Sequence, residues 1–163
     1  MEIQENSKEK EEISKNTTFE LVETKEKLDI CIKLRHLIFV IEQNVPLDLE
    51  IDGEDEKSDH GLLFLKEIPV GVIRIRFIEE EGIAKIERVG ILEEYRGMGL
   101  GVMLMKFSVD YIKTKALDKK IKEIKLSSQT YIIPFYQKLG FIVCSEEYMN
   151  ANITHKDMKM ALI

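Results

Sequence analysis

The order of patterns along the chain predicts an α/β domain built on a mixed sheet, and three observations carry that expectation. Three apolar, β-branched runs follow one another between residues 61 and 92. A glycine-rich turn at 96–101 then hands over to a long amphipathic run. Strand-like and helix-like segments continue on both sides, giving the order β-α-βββ-α-β-α-ββ. The short turns within the meander argue against a doubly wound parallel sheet, whose crossovers are long.

Each element has its own warrant. Residues 1–16 are charged and offer little to bury, so they read as a flexible tail, or as a helical extension where a neighbour covers them. A single domain is expected over 17–163. Thr18 to Val22 reads as a strand, and Thr24 is placed to cap a helix from Lys25 to Val40. In that helix Leu28, Cys31, Ile32, Arg35 and Phe39 recur at helical spacing. Glu42 to Asp59 is acidic, contains Pro46 and Gly53, and reads as a long loop with room for one helical turn; loops of this length are often functional.

Strands are expected at Gly61–Lys66, Val70–Ile78 and Ile83–Leu92, with turns at Glu67-Ile68-Pro69 and Glu79–Gly82. The long helix runs to Leu117, with Leu100, Met103, Leu104, Phe107 and Tyr111 as its apolar stripe. A strand at Lys122–Ser127, a short helix at Ile132–Leu139, and strands at Phe141–Cys144 and Lys156–Leu162 complete the chain.

Composition excludes several function classes. With 24 Lys plus Arg against 30 Asp plus Glu, the net charge is −6, which disfavours binding to nucleic-acid backbones. No apolar stretch approaches the roughly 20 residues of a membrane span. The N-terminus lacks a signal-peptide core, so a reducing, cytoplasmic setting is expected. Cys31 and Cys144 form no paired motif and read as buried free thiols. The carboxylates Asp48, Glu50, Asp52, Glu54 and Asp55 do not follow a calcium-loop order, so a solvated loop without metal is expected.

The most informative segment is Arg96-Gly97-Met98-Gly99-Leu100-Gly101, which joins a strand directly to a helix. Free N–H groups of a helix's first turn carry partial positive charge and converge on one spot, where a phosphate or diphosphate fits. Arg96 adds a fork-shaped cation. The P-loop's Gly-Lys-Ser/Thr is absent, and the dinucleotide fingerprint fails at Val102.

This segment resembles the R/Q-x-x-G-x-G/A motif of the GNAT superfamily of acyl-CoA-dependent N-acyltransferases, with Arg96, Gly99 and Gly101 at its defining positions. Ile133-Pro134-Phe135-Tyr136-Gln137-Lys138-Leu139-Gly140-Phe141 resembles that superfamily's FYxKLGF segment. Phe39 to Pro46, followed by Glu50, Asp52, Asp55 and His60, and Ile153-Thr154-His155 are similar to its ElaA and YjcF-type branch. Ser128-Gln129 departs from the Ala-Gln common in that branch.

The resemblance implies a mixed, mostly antiparallel split β-sheet flanked by helices, with acetyl-CoA as co-substrate and no metal. It implies that Val89, Gly90 and Ile91 pair with the pantetheine arm, that Arg96, Gly97, Met98, Gly99, Leu100 and Gly101 receive the diphosphate, and that Gln129 also meets the cofactor. It implies that Tyr136, which also meets the cofactor, protonates the leaving thiolate; the alternative is that it merely packs on the cofactor. The acceptor is then the amine of a small molecule or amino-acid-like compound. Domains of this superfamily often pair, so a homodimer is the favoured assembly. A non-catalytic acyl-CoA-binding module is the alternative.

A base for the acceptor has several candidates. Alternation puts Glu87 on one face with Val89 and Ile91, either towards a cleft or in a structural ion pair. Glu42 could bind or deprotonate the amine, or anchor its loop. His60 could titrate near neutral pH on the acceptor side, or be an ordinary strand-edge histidine.

Overall fold

The computed structural model describes residues 2–162. Helix α1 (Glu2–Lys15) opens it; the segment is helical although its residues 4–12 are exposed, without the covering neighbour on which the sequence reading makes a helix depend. Strand β1 (Thr17–Leu21) follows, then helix α2 (Lys25–Arg35), capped by the Thr24 side chain, which accepts from the Lys27 N–H at 3.2 Å. The helix does not continue as expected to Val40: His36–Glu42 is wound as a seven-residue π-helix. The acidic stretch holds the short helix α3 (Leu47–Glu50) and a 3-10 turn at Asp55–Lys57.

The meander consists of β2 (Asp59–Leu65), β3 (Ile68–Ile78) and β4 (Ile83–Ile91). Its first turn lies earlier than expected. Lys66 and Glu67 both have positive φ, at 48° and 68°, as in a two-residue hairpin turn. Ile68 and Pro69 therefore start the next strand. Helix α4 (Leu100–Lys119) leads to β5 (Glu123–Gln129), the short helix α5 (Ile133–Lys138), and strands β6 (Ile142–Val143), β7 (Tyr148–Asn150) and β8 (Ile153–Ala161). Strand β7 was not legible in the sequence. It forms a hairpin with β8 through Ala151 and Asn152, both again at positive φ, so β8 begins three residues before Lys156.

Among the described residues these strands form one eight-stranded sheet in the order β1-β2-β3-β4-β5-β8-β6, with β7 on β8. Pairing of β1 with β2 and of β5, β6 and β7 with β8 is antiparallel, whereas β4 with β5 is parallel. That parallel ladder is short. It pairs Ile83–Ile86 with Glu123–Leu126, although β4 runs on to Ile91 and β5 to Gln129. The mixed, mostly antiparallel sheet flanked by helices is the expected fold class.

The chain divides into two compact units. One comprises the chain up to Asn44, His60–Ile73 and Arg88–Ser108; the other comprises Val45–Asp59, Arg74–Glu87 and the chain from Val109 on. In the first, Cys31, Leu34, Ile38, Leu62 and Val72 make a buried cluster, with Leu28, Phe39, Phe64 and Leu92 packed on it. Ile32, expected on the apolar stripe of α2, is exposed, because the buried face runs through Cys31, Leu34 and Ile38. Phe107 of α4 is exposed too, stacked on Phe19 with centroids 5.5 Å apart; Leu100, Leu104, Met105, Ser108 and Ile112 are the buried positions of that helix. Cys31 is buried as expected, but Cys144 is exposed, since β6 lies at the sheet's end and its flanking residues face outwards. No helix among the described residues is long and apolar enough to cross a membrane.

Candidate active site

Glu42, His60, Val89, Gly90, Ile91 and the segment Arg96–Gly101 lie in the first unit; Glu87, Gln129 and Tyr136 lie in the second.

In the first unit, strand β4 ends in a 3-10 turn at Glu93–Tyr95 and an extended Arg96. Gly97 and Gly99 follow at φ 79° and 80°. A side chain at that φ is strained, whereas a Cβ on either residue would meet nothing within 4 Å, so backbone conformation rather than crowding demands glycine here. The Gly99 carbonyl accepts the first helical bond, from Met103 N–H at 3.3 Å. Helix geometry then leaves the N–H groups of Leu100, Gly101 and Val102 without an intrahelical acceptor. These are the donors and the dipole end that an anion needs.

Arg96 is engaged within the protein. Its Nε donates to the Ile91 carbonyl at 3.0 Å, and its Nη1 and Nη2 grip both carboxylate oxygens of Glu42, the latter at 2.8 Å. Glu42 is the last residue of the π-helix, and that helix lies close on β4 at Gly90. A Cβ on Gly90 would come within 3.0 and 3.1 Å of Ile38 and 3.3 Å of Phe39. Gly90 thus has a packing reason to be glycine. His60 is a buried residue of β2 rather than a surface or strand-edge one, only 5% exposed, with its carbonyl accepting from Val22 N–H.

Glu87 is the last residue of its stretch of the second unit, and the alternation expected to continue through Val89 and Ile91 is interrupted at Arg88, which has φ 56°. Glu87 forms the ion pair that was one of its two readings. Arg74 Nε donates to its Oε2 at 2.9 Å, Arg74 Nη2 reaches the same oxygen, and Arg76 Nη2 reaches Oε1 at 2.9 Å. Burial pushes the Glu87 carboxyl up, but the Arg76 hydrogen bond and the Arg74 charge outweigh it and hold it below the ordinary glutamate range.

Arg74 is fully buried and also binds Asp52 through both Nη atoms, at 2.8 and 2.6 Å, and Asp55 at 3.0 Å. Burial opposes its charge. The Asp52 hydrogen bond and the Glu87 charge override that and raise its pKa. The acidic stretch is therefore not simply solvated: an interior guanidinium draws two of its carboxylates inwards, and Arg76 lies 3.6 Å from Glu54. Sequence reasoning missed this organiser. Its signal was an arginine between isoleucines, Ile73-Arg74-Ile75, in a strand whose one other charged residue is Arg76.

Tyr136 of α5 is 8% exposed, with its ring edge-on to Phe135 and Phe141 at centroid distances of 5.1 and 6.0 Å. Burial pushes its phenol up to about 12, so it is protonated at neutral pH. Gln129 ends β5 opposite His155 in the β5–β8 ladder. His155 Nδ1 lies 2.7 Å from the Ile153 carbonyl, which can only accept, so Nδ1 carries the proton. Tyr148 stacks near His155 and donates to Asp157 at 2.5 Å.

The family model described as the acetyltransferase (GNAT) domain matches residues 41–162. A protein of Bacillus subtilis (strain 168) named as the uncharacterized N-acetyltransferase YjcF is 35% identical over 139 residues, covering 85% of this chain and 95% of that protein. The crystal structure of an acyl-CoA N-acyltransferase from Pseudomonas aeruginosa superposes with a TM-score of 0.79 at 27% identity, over 89% of this chain and 99% of that one. Escherichia coli ElaA superposes at 0.78 with 27% identity, over 88% and 99%.

Proposed function

The chain belongs to the GNAT acetyltransferase family and is an acyltransferase, and on that premise we propose that it moves the acetyl group of acetyl-CoA to the amine of a small or amino-acid-like acceptor by direct attack on the thioester. The observation that carries this reading is the junction of β4 and α4. Two glycines in the left-handed region deliver the chain into a helix whose first amides lack intrahelical acceptors, which suits the diphosphate of an acyl-CoA. The relatives' names supply the acyl-CoA and N-acyl terms.

In this reading Leu100 and Gly101 N–H groups hold the diphosphate, Val89 to Ile91 accompany the pantetheine arm, and Gln129 meets the cofactor further along. The C–N bond forms as the C–S bond breaks, Tyr136 gives its proton to the departing thiolate, and the proton shed by the newly acylated nitrogen restores the phenol by way of solvent. A buried phenol stays protonated until it is needed, and a thiolate released away from water is more basic than the usual thiol value of about 8.5. Arg74 and Arg76 hold the Glu87 carboxylate below its ordinary range, which makes it a weak base, and both carboxylate oxygens of Glu42 are already taken up by Arg96. The acceptor therefore reacts from its neutral fraction, which for an amine with pKa about 10.4 is under roughly one molecule in a thousand near pH 7.

The test is release of free thiol from acetyl-CoA over a panel of amines between pH 6.5 and 9.5. The expected result is turnover with some amine, with kcat/KM for that amine rising about tenfold per pH unit. Tight CoA binding without turnover on any amine would refute the acceptor class.

A further inference from the structure

The Glu42–Arg96 pair has an odd combination of properties. Its side chains are 27% and 42% exposed, and an exposed ion pair adds little to global stability. Yet the pairing is two-pronged, and a third bond ties the same guanidinium to the carbonyl of Ile91. Arg96 therefore stitches the end of the π-helix to the end of β4, one residue before the first left-handed glycine.

The π-helix contributes to that placement. Its wider winding sets Glu42 at a different angle from that of a continued α-helix, and such segments are often found at functional sites. Gly90 permits Ile38 and Phe39 to lie against β4, which fixes how far Glu42 can reach.

From this geometry we propose that Glu42 is a positioning residue: it holds Arg96 so that the glycine-rich loop presents its amides to the diphosphate before the ligand arrives. The inference rests on the acyl-CoA reading of that loop. Its consequence has a distinctive sign. On charge alone, removing a carboxylate near an anion site strengthens anion binding and leaves Arg96 available to the phosphates. Removing a clamp does the opposite, because the loop must then be ordered at the expense of binding.

The experiment measures the Kd for CoA by titration calorimetry, and amide hydrogen exchange over residues 97–103 in the ligand-free protein. Glu42→Gln and Glu42→Ala are compared with the unaltered chain, alone and in an Arg96→Ala background. Kd is expected to rise about tenfold in the single variants, with faster exchange of the loop amides. In the Arg96→Ala background, Glu42→Ala is expected to change nothing further, because the clamp acts through Arg96. Tighter or unchanged CoA binding in Glu42→Gln would overturn the proposal, as would lost turnover at unchanged Kd, which would place Glu42 in the chemistry. If the unaltered chain binds no CoA, the functional reading fails, and unchanged loop exchange in Glu42→Gln would separately sink the clamp.

Discussion

Arg74 Nη2 and Asp52 Oδ2 lie 2.6 Å apart, and the guanidinium that makes this bond is closed off from solvent while also binding Asp55 and Glu87. One interior cation thereby fastens the acidic stretch at residues 52–55 to strands β3 and β4. Arg74→Met would leave three carboxylates short of their shared partner. The expected cost is about 3–5 kcal/mol, the usual range for breaking a buried pair from one side. Urea unfolding checks it, and a loss below roughly 1 kcal/mol would mean that the surrounding carboxylates relax into water.

The same cluster sets an acid limit. Glu87 titrates below its ordinary value in the folded chain, so its contribution is complete above the unfolded pKa of 4.5 and is lost as pH falls through the lower folded value. Stability is expected to be flat in this respect above about pH 5.5 and to fall in more acid solution. Glu87→Gln should be less stable at pH 7 and show a shallower acid loss. An equally steep acid limb in that variant would assign the effect to other carboxylates.

Tyr136 supplies a proton in the proposed reaction, and its only polar atom is the hydroxyl. Tyr136→Phe keeps the ring against Phe135 and Phe141 and removes that atom. kcat is expected to fall about a hundredfold, with the Kd for CoA within roughly twofold of the original. Because burial holds the phenol near 12, the unaltered enzyme should show no alkaline decline from this group up to pH 9.5. An apparent pKa of 8 to 9 that disappears in Tyr136→Phe would contradict that ionisation state.

Gly90→Ala tests the packing beneath the clamp. The new methyl would meet the side chains of Ile38 at 3.0 and 3.1 Å and Phe39 at 3.3 Å, tighter than ordinary contact, so these side chains or the π-helix that carries them must shift slightly. The expected loss is about 1–3 kcal/mol of stability, as for other overpacked sites. Weaker CoA binding should accompany it to the extent that the π-helix, and Glu42 at its end, shifts rather than the side chains alone. Thermal unfolding and CoA titration read the two effects separately.

Much was legible without coordinates. The capping role of Thr24, the three strands of the meander, and the strand-to-helix junction at Arg96–Gly101 follow from local chemistry: a hydroxyl at a helix start, β-branched alternation, and glycines where a turn needs positive φ. Strand β7 escaped because a three-residue strand has too few positions for alternation to register. The exposure of Cys144 escaped because an apolar neighbourhood in sequence is no guide to which end of a sheet a strand occupies.

The sequence by itself determined the family, the fold class and the glycine-rich junction of strand and helix, because each depends on residues that are neighbours along the chain. Only the tertiary structure decided what the charged candidates do. Glu42 and Arg96 are 54 positions apart, and Asp52 and Arg74 are 22 apart. Whether a carboxylate is left as a base or taken up by an arginine depends on distances of a few ångström across the fold, where Coulomb energy and desolvation change most steeply, and no local pattern records those distances.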